Sequence, residues 1–433
     1  MDATPSAIAG VVRRNTSLLS AAQALYTMVL QINVFSGPFI MIALTNDPLT
    51  PLAGLATAIA WGGRILIVYQ SGKLMDRLGR IRVLRLGTLL SIAGALIVGF
   101  TLLLSSLVGV VAGLLVYGLG VGATQQNRVA VADMYPAGRR GQGLGYLLMA
   151  SVLGAVATPL FTQGGEMLSG SLGYVKFSLS YFSVIWFSTV IPLAVALAFT
   201  DLVKTDPREI AEKLEKLDSR PQPDYGQDGI LQNSLPLTLV AYPVLAAFAV
   251  SGLTQGNMTM NMALASQILH QHTEESFLIT SAITLHIVGM YALSIPIGRM
   301  ADSVGRRWTL LAGAFISGVG ALLTPILTSF VGVTFGIVLV GVGWSFATVS
   351  TTALLSDLTA PRQRGRVIGV NDLVLGATAI LFPIVGGIVT SFGGFSMLAM
   401  FGFAASLPTM GLAYFLREKR RWASVDTHLA PAG

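Results

Sequence analysis

The sequence predicts an all-α membrane protein of twelve transmembrane helices in two six-helix halves, and three observations carry that expectation. First, the 433 residues are 53% hydrophobic and only 11% charged, with a mean hydropathy of +0.71, whereas water-soluble domains carry about 25% charged residues. Second, apolar runs of bilayer-spanning length, about 20 residues at ~1.5 Å rise each, recur along the whole chain. Third, the chain repeats itself. SGKLMDRLGRIRVLRLG (71–87) matches IGRMADSVGRRWTLLAG (297–313), setting Gly72 on Gly298, Asp76 on Asp302, Gly79 on Gly305 and Arg80 on Arg306. ADMYPAGRRGQGLG (132–145) matches SDLTAPRQRGRVIG (356–369), setting Asp133 on Asp357. The offsets are 226 and 224, and two independent matches at nearly one offset identify a duplicated unit.

The expected spans run 17–43, 51–71, 84–104, 108–134, 142–164 and 179–200 in the first half, residues 1–200. They run 236–263, 277–297, 308–327, 332–355, 367–390 and 395–416 in the second half, residues 236–416. Residues 201–235 form a polar linker that passes from the charged, helix-spaced REIAEKLEKLD to the Pro- and Gly-rich RPQPDYGQDG. Residues 417–433 form a short tail. The N-terminal MDATPSAIAGVVRRNTS lacks a cleavable signal pattern, so the first apolar run is expected to be a retained span.

Of 27 Lys and Arg residues, 24 fall in loops and tails that alternate to one side; Arg64 and Arg128 lie within spans, and Lys176 sits on the opposite face. The positive-inside rule then places both termini in the cytoplasm. It also explains the net charge of +7 without a nucleic-acid partner. No cysteine is present, which excludes disulfides, thiolate metal sites and cysteine nucleophiles. No Ser/His/Asp set, nucleotide loop or paired-carboxylate site stands out, so an enzyme is not expected. Glycine-rich runs such as GLGVGA (118–123) fall within a span, where glycine serves close packing.

Soft donors gather at one place. Three of the four histidines, His270, His272 and His286, lie within 17 residues, bracketed by Met258, Met260, Met262 and Met290. Helical spacing aligns Met258 with Met262 and His286 with Met290, while Met260 points away from the first pair. Thioethers suit Cu(I), and imidazole suits copper, zinc, iron and nickel. Methionine is also common gap filler, and a membrane histidine can simply bond a neighbouring helix, so spacing alone leaves both packing and metal open. Gly252 and Gly256 likewise allow close packing or a local unwinding.

Arg64 and Arg128 are candidate cavity charges, because intramembrane ionisable groups are functional candidates by default. Arg128 could be neutralised by Asp133 or by a carboxylate on another helix, and Arg64 has no evident partner in its own span. Arginine repels a bare cation and favours planar anions. An organic solute or anionic metal chelate is therefore the alternative cargo, and a multidrug exporter is a third. The middles of spans one, seven and eight contain no Asp or Glu of the kind proton-driven exporters use.

Two six-helix halves, a polar linker and a G-x-x-x-D-x-x-G-R loop between the second and third spans resemble the major facilitator superfamily over the whole chain. That resemblance implies an alternating-access carrier whose substrate sits near the bilayer midplane. It also implies a conformational latch at Gly72, Asp76, Gly79, Arg80 and Asp133, repeated at Gly298, Asp302, Gly305, Arg306 and Asp357. MxxxM in the seventh span followed by HxxxM in the eighth further resembles the CcoA-like copper importers, a branch shared with riboflavin transporters. QQNRVAVAD (125–133), GVGWSF (341–346) and GRVIGVND (365–372) are similar to that wider branch. The resemblance implies copper as transported substrate, with Met258, Met262, His286 and Met290 as its ligands and no resident cofactor. Met260, His270 and His272 lie outside the motif and stand as candidate capture ligands. The expected partners are the bilayer and the cargo, with the monomer as the working unit.

Overall fold

The computed structural model describes residues 5–135, 140–207, 209–210, 242–358 and 364–416. Most of the linker, including its helix-spaced stretch, the first residues of the seventh span and the 417–433 tail lie outside the described residues. The described chain is helical: α1 (Pro5–Thr45), α2 (Leu55–Leu78), α3 (Arg80–Leu103), α4 (Leu107–Thr124), α5 (Asn127–Asp133), α6 (Arg140–Ser171), α7 (Leu179–Ser188) and α8 (Val190–Asp201) make the first half. The second half contains α9 (Tyr242–His270), α10 (Ser276–Tyr291), α11 (Ser294–Val304), α12 (Arg306–Ile326), α13 (Phe330–Leu358) and α14 (Arg364–Phe415).

These helices map onto the expected spans once the local breaks are understood. Pro192 cannot donate to the carbonyl of Ser188, and Pro296 cannot donate to that of Ala292. The sixth span therefore divides into α7 and α8, and the eighth into α10 and α11. The fourth is interrupted at Gln125–Gln126 between α4 and α5. Conversely, α14 holds both the eleventh and twelfth spans, joined where Gly393 and Gly394 leave helical geometry. Among the described residues, nine stretches are long and apolar enough to cross a membrane, Val367–Phe415 counting once. The second span contributes only the shorter apolar run Leu55–Val68.

The seventh span fails a simple hydropathy reading because α9 carries Thr254, Gln255, Asn257, Thr259, Asn261, Ser266 and Gln267, all buried. Every residue from Thr254 to Leu269 is buried. A helix covered on all sides sits at the centre of its bundle, and its polar groups are shielded from lipid by neighbouring helices. Gly252 faces Val374 and Thr378, and Gly256 faces the Phe382 ring. Since α9 runs unbroken, both glycines serve packing and not unwinding.

On the orientation expected from the charge asymmetry the end near Lys176 is the outer one, and at that end the halves are pressed together. Thr162 and Thr280 hydroxyls meet at 3.1 Å, and those of Tyr181 and Ser276 at 2.8 Å. Thr284 donates to the Ala155 carbonyl at 2.8 Å, and Gln267 to that of Pro48 at 2.6 Å. His270 packs edge-on against Phe39 and Phe177, with ring centroids 5.2 and 4.5 Å away. Gly54 lies directly over the Pro383 carbonyl, where a Cβ has no room.

A methyl group at Gly54 should therefore prop the outer end open. The absence of native cysteine allows a clean readout. Gly54→Ala is expected to raise labelling of a Thr280→Cys reporter by an impermeant maleimide several-fold over the same reporter alone. Unchanged labelling would mean that this contact does not hold the outer end shut.

Candidate functional site

His286 is 1% exposed, and its Nδ1 lies 2.7 Å from the Ile337 carbonyl on α13. A carbonyl only accepts, so Nδ1 carries the proton and Nε2 keeps its lone pair. Nε2 is buried and has no hydrogen-bond partner. Fixing the tautomer by bonding the far nitrogen to a carbonyl is how proteins prepare a histidine to ligate a metal.

The methionine pair is turned the same way. Gln255 on α9 accepts from Trp344 Nε1 on α13 at 2.8 Å. Met262 is seven residues beyond Gln255, nearly in register after two turns, and Met258 is three residues beyond it. Ile337 and Trp344 are also seven apart, so one face of α13 meets both His286 and Gln255. Gly341 lies between them, facing the imidazole and backbone of His286. Met258, Met262 and Met290 are 7%, 7% and 8% exposed.

The depths interleave. Because α9 continues to His270, seven residues past the expected end of the span, Met262 is not near the outer mouth. Measured from the outer ends of α9 and α10 at ~1.5 Å per residue, Met262 lies about 12 Å down, His286 about 15 Å, Met258 about 18 Å and Met290 about 21 Å. Counted along its own helix, the imidazole thus lies at a depth between those of the two thioethers. His286 faces the interior of the second half. Ser276, Thr280 and Thr284 of α10 face the first half instead.

The candidate capture ligands are placed differently. Met260 is fully buried against Gly386 and Gly402 of α14, facing away from α13 and the outer surface. His270 is held between the two phenylalanines, and its Nδ1 is buried without a partner. His272 sits partly buried in the turn after α9. Among the described residues no group of three or more His, Asp or Glu is positioned to hold a metal, so a metal here would rely on thioether and imidazole donors.

Arg64 and Arg128 find partners across helices. Arg64 donates to Gln125 Oε1 at 2.9 Å and lies 4.0 Å over the Trp61 ring. Arg128 pairs with Asp372 of α14 at 3.1 Å, linking the halves. Of the two partners open to Arg128 in the sequence, the one on another helix holds it, since Asp133 bonds Arg80 at 3.0 Å. Sequence reading missed a polar column on α1. Gln23, Thr27 and Gln31 recur at four-residue spacing; Gln31 donates to Thr158 at 2.9 Å and Gln23 to Ser151 at 3.3 Å. Gln23 and Thr27 line a small cavity with Tyr26, Tyr117, Thr124 and Gln125. The signal was legible as an uncharged polar stripe in an apolar span.

At the inner end, Gly79 and Gly305 have φ of 93° and 109°, a region that disfavours any Cβ. Asp206, from the start of the linker, accepts from the Ile81 amide at 3.2 Å and abuts Gly79. A carboxylate at the exposed amides of a helix start is favoured by the helix dipole. Asp201 pairs with Arg85 at 2.5 Å, while Arg14 and Asn15 donate to the Leu202 and Thr205 carbonyls. The first linker residues thus strap down the inner end of the first half, a contact no motif announced. Arg306 donates to the Ala301 carbonyl at 2.6 Å. Gly72 has nothing close, and Gly298 only Val349 at 4.0 Å. The side chains of Asp76, Asp302 and Asp357 lie outside the described residues.

Comparison with known proteins agrees with this architecture. The sequence pattern described as Major Facilitator Superfamily matches residues 19–270 and 244–431. The chain is 25% identical over 370 residues to the uncharacterized MFS-type transporter YddS of Bacillus subtilis (strain 168), covering 82% of this chain and 80% of that one. It is 22% identical over 368 residues to the riboflavin transporter RfnT of Brucella anthropi, covering 84% and 86%. Among solved structures, the nucleoside transporter NupG superposes with a TM-score of 0.65 at 14% identity, covering 93% of this chain and 97% of that one.

Gly79→Ala should cost about 1–3 kcal/mol, the penalty for forcing a side chain into that backbone region, and it should also displace Asp206. A lowered thermal midpoint of the detergent-solubilised protein would register this. Gly72→Ala, in open space, should leave the midpoint where it is.

Proposed function

Because this chain belongs to the major facilitator superfamily and is a multi-pass membrane transporter, not an enzyme, we propose that its cargo is copper, taken up across a bacterial plasma membrane with both termini in the cytoplasm. The observation that carries this is the buried, unpartnered Nε2 of His286, its tautomer fixed by Ile337, at a helical depth between those of Met258 and Met262. A buried polar atom without a partner is costly, and a soft cation resolves that cost without adding a hydrogen bond. Thioethers hold Cu(I) without competing charge, which suits a site that must also release. Met290 lies deepest and takes the ion towards the inner end as the two halves rock about it. The carrier works as a monomer, since one chain holds both of the halves that rock against each other.

A flavin-like organic solute is the second reading. It is favoured by the hydrogen-bonding column of Gln23, Thr27 and Gln31 and by similarity to a riboflavin transporter.

Copper accumulation in a strain lacking its own importer tests the assignment. His286→Ala and Met258→Ala should each lower uptake by roughly tenfold or more at unchanged membrane abundance, while Met260→Ala should leave it near wild type. Normal uptake by both variants would remove the ligand assignment. Riboflavin uptake with no copper uptake by the native chain would establish the second reading.

A further inference from the structure

We propose that the inner part of the cleft holds an anion site, built on Arg64 and Arg128, for a small carboxylate-bearing organic solute, and that Asp372 occupies part of this site as an exchangeable internal counter-ion. The proposal does not rest on the copper assignment and needs no metal.

The charges do not balance locally. Arg64 extends from the middle of α2 and bonds only a neutral amide, Gln125, and the face of Trp61. Among the described residues no carboxylate forms an ion pair with it. Arg128, Asp372, Tyr117 and Tyr291 lie within Coulombic reach of its guanidinium. Two guanidiniums therefore share one carboxylate, leaving one positive charge among membrane-spanning helices. Such a charge is expensive inside a membrane protein unless function requires it. Gln125 and Arg128 are separated by less than one turn across the break between α4 and α5, so both guanidiniums border the same space.

Accessibility and chemistry fit a ligand. The side chains of Arg128 and Asp372 are 52% and 36% exposed, so their pair is reached by water although it joins the two halves. A guanidinium presents a planar fork that matches a carboxylate bidentately. An incoming carboxylate anchored on Arg64 competes with Asp372 for Arg128. Exchange releases Asp372, and with it the described ion pair that ties α5 of the first half to α14 of the second. Binding of the solute and loosening of the inner contact are then one event, which is how a ligand biases two conformations: by differential contacts with each. The small cavity beside Gln125, lined also by Gln23, Thr27 and Tyr117, adjoins the same amide and has room for about one water.

The test is titration calorimetry on the full-length protein in lipid nanodiscs with chelator present, using benzoate and citrate as probes and benzamide as the uncharged control. Wild type should bind at least one carboxylate saturably and benzamide not at all. Arg64→Gln and Arg128→Gln should each weaken binding by roughly tenfold or more, as loss of a charged fork implies. Asp372→Asn should tighten binding several-fold, because it frees Arg128. A purely structural ion pair would not give opposite signs to its two partners. Binding of neither carboxylate by wild type, or changes of the same sign in Arg128→Gln and Asp372→Asn, would overturn the proposal. If Asp372→Asn does not fold, Arg64→Lys decides, since it keeps the charge but loses the fork. Weaker binding than wild type is then expected, and affinity equal to wild type would overturn the site. Copper uptake plays no part in these readouts, so failure of the copper assignment and failure of the anion site are separable.

Discussion

Inside lipid, a polar group has only the protein to turn to, and much of this structure follows from that constraint. Backbone groups are satisfied by helices, as they must be; the side chains then decide which helices lie where. α9 carries more uncharged polar groups than an exposed span could hold, so it is buried on every side. The column of Gln23, Thr27 and Gln31 turns α1 to α6 for the same reason. Trp186 Nε1 reaches Ser36 at 3.1 Å, and Tyr26 reaches Thr88 at 2.6 Å. Each bond is worth only about 0.6–2 kcal/mol in a membrane, yet each also selects one rotation of a helix among several of similar packing.

The same constraint shows the soft-donor cluster and the cleft charges to be separate features of the molecule. His286 looks into the second half, where Ile337 satisfies one nitrogen and leaves the other bare. Arg64 and Arg128 look into the space between the halves. A hydrophobic closure around His270 at one end and a charged, water-reached contact at Arg128–Asp372 towards the other give the two ends different chemistry. Hydroxyl and aromatic contacts seal without long-range fields, whereas an ion pair responds to charge.

The inner ends show how a short motif acts through backbone geometry. Gly79 and Gly305 occupy the same positive-φ position in the two halves, and the turn that Gly79 allows brings Arg80 to Asp133. In the first half that turn also receives Asp206 from the linker. The linker is thus anchored where the motif bends, and its first residues belong mechanically to the first half.

The sequence alone determined the class of fold, the duplication and the grouping of thioethers with imidazoles, because these depend on composition, period and spacing. It also separated Met260 from the Met258–Met262 face, since helical periodicity is a local property. It could not choose a partner for Arg128, because Asp133 was nearer in sequence and Asp372 lies 244 positions away. It could not see that α9 runs on to His270, since burial by other helices lets a span continue beyond its apolar core. Nor could it find the unpartnered Nε2, the strap through Asp206, or the unequal charge of the cleft. Those are properties of distance between segments remote in sequence, and only the packed bundle fixes distance.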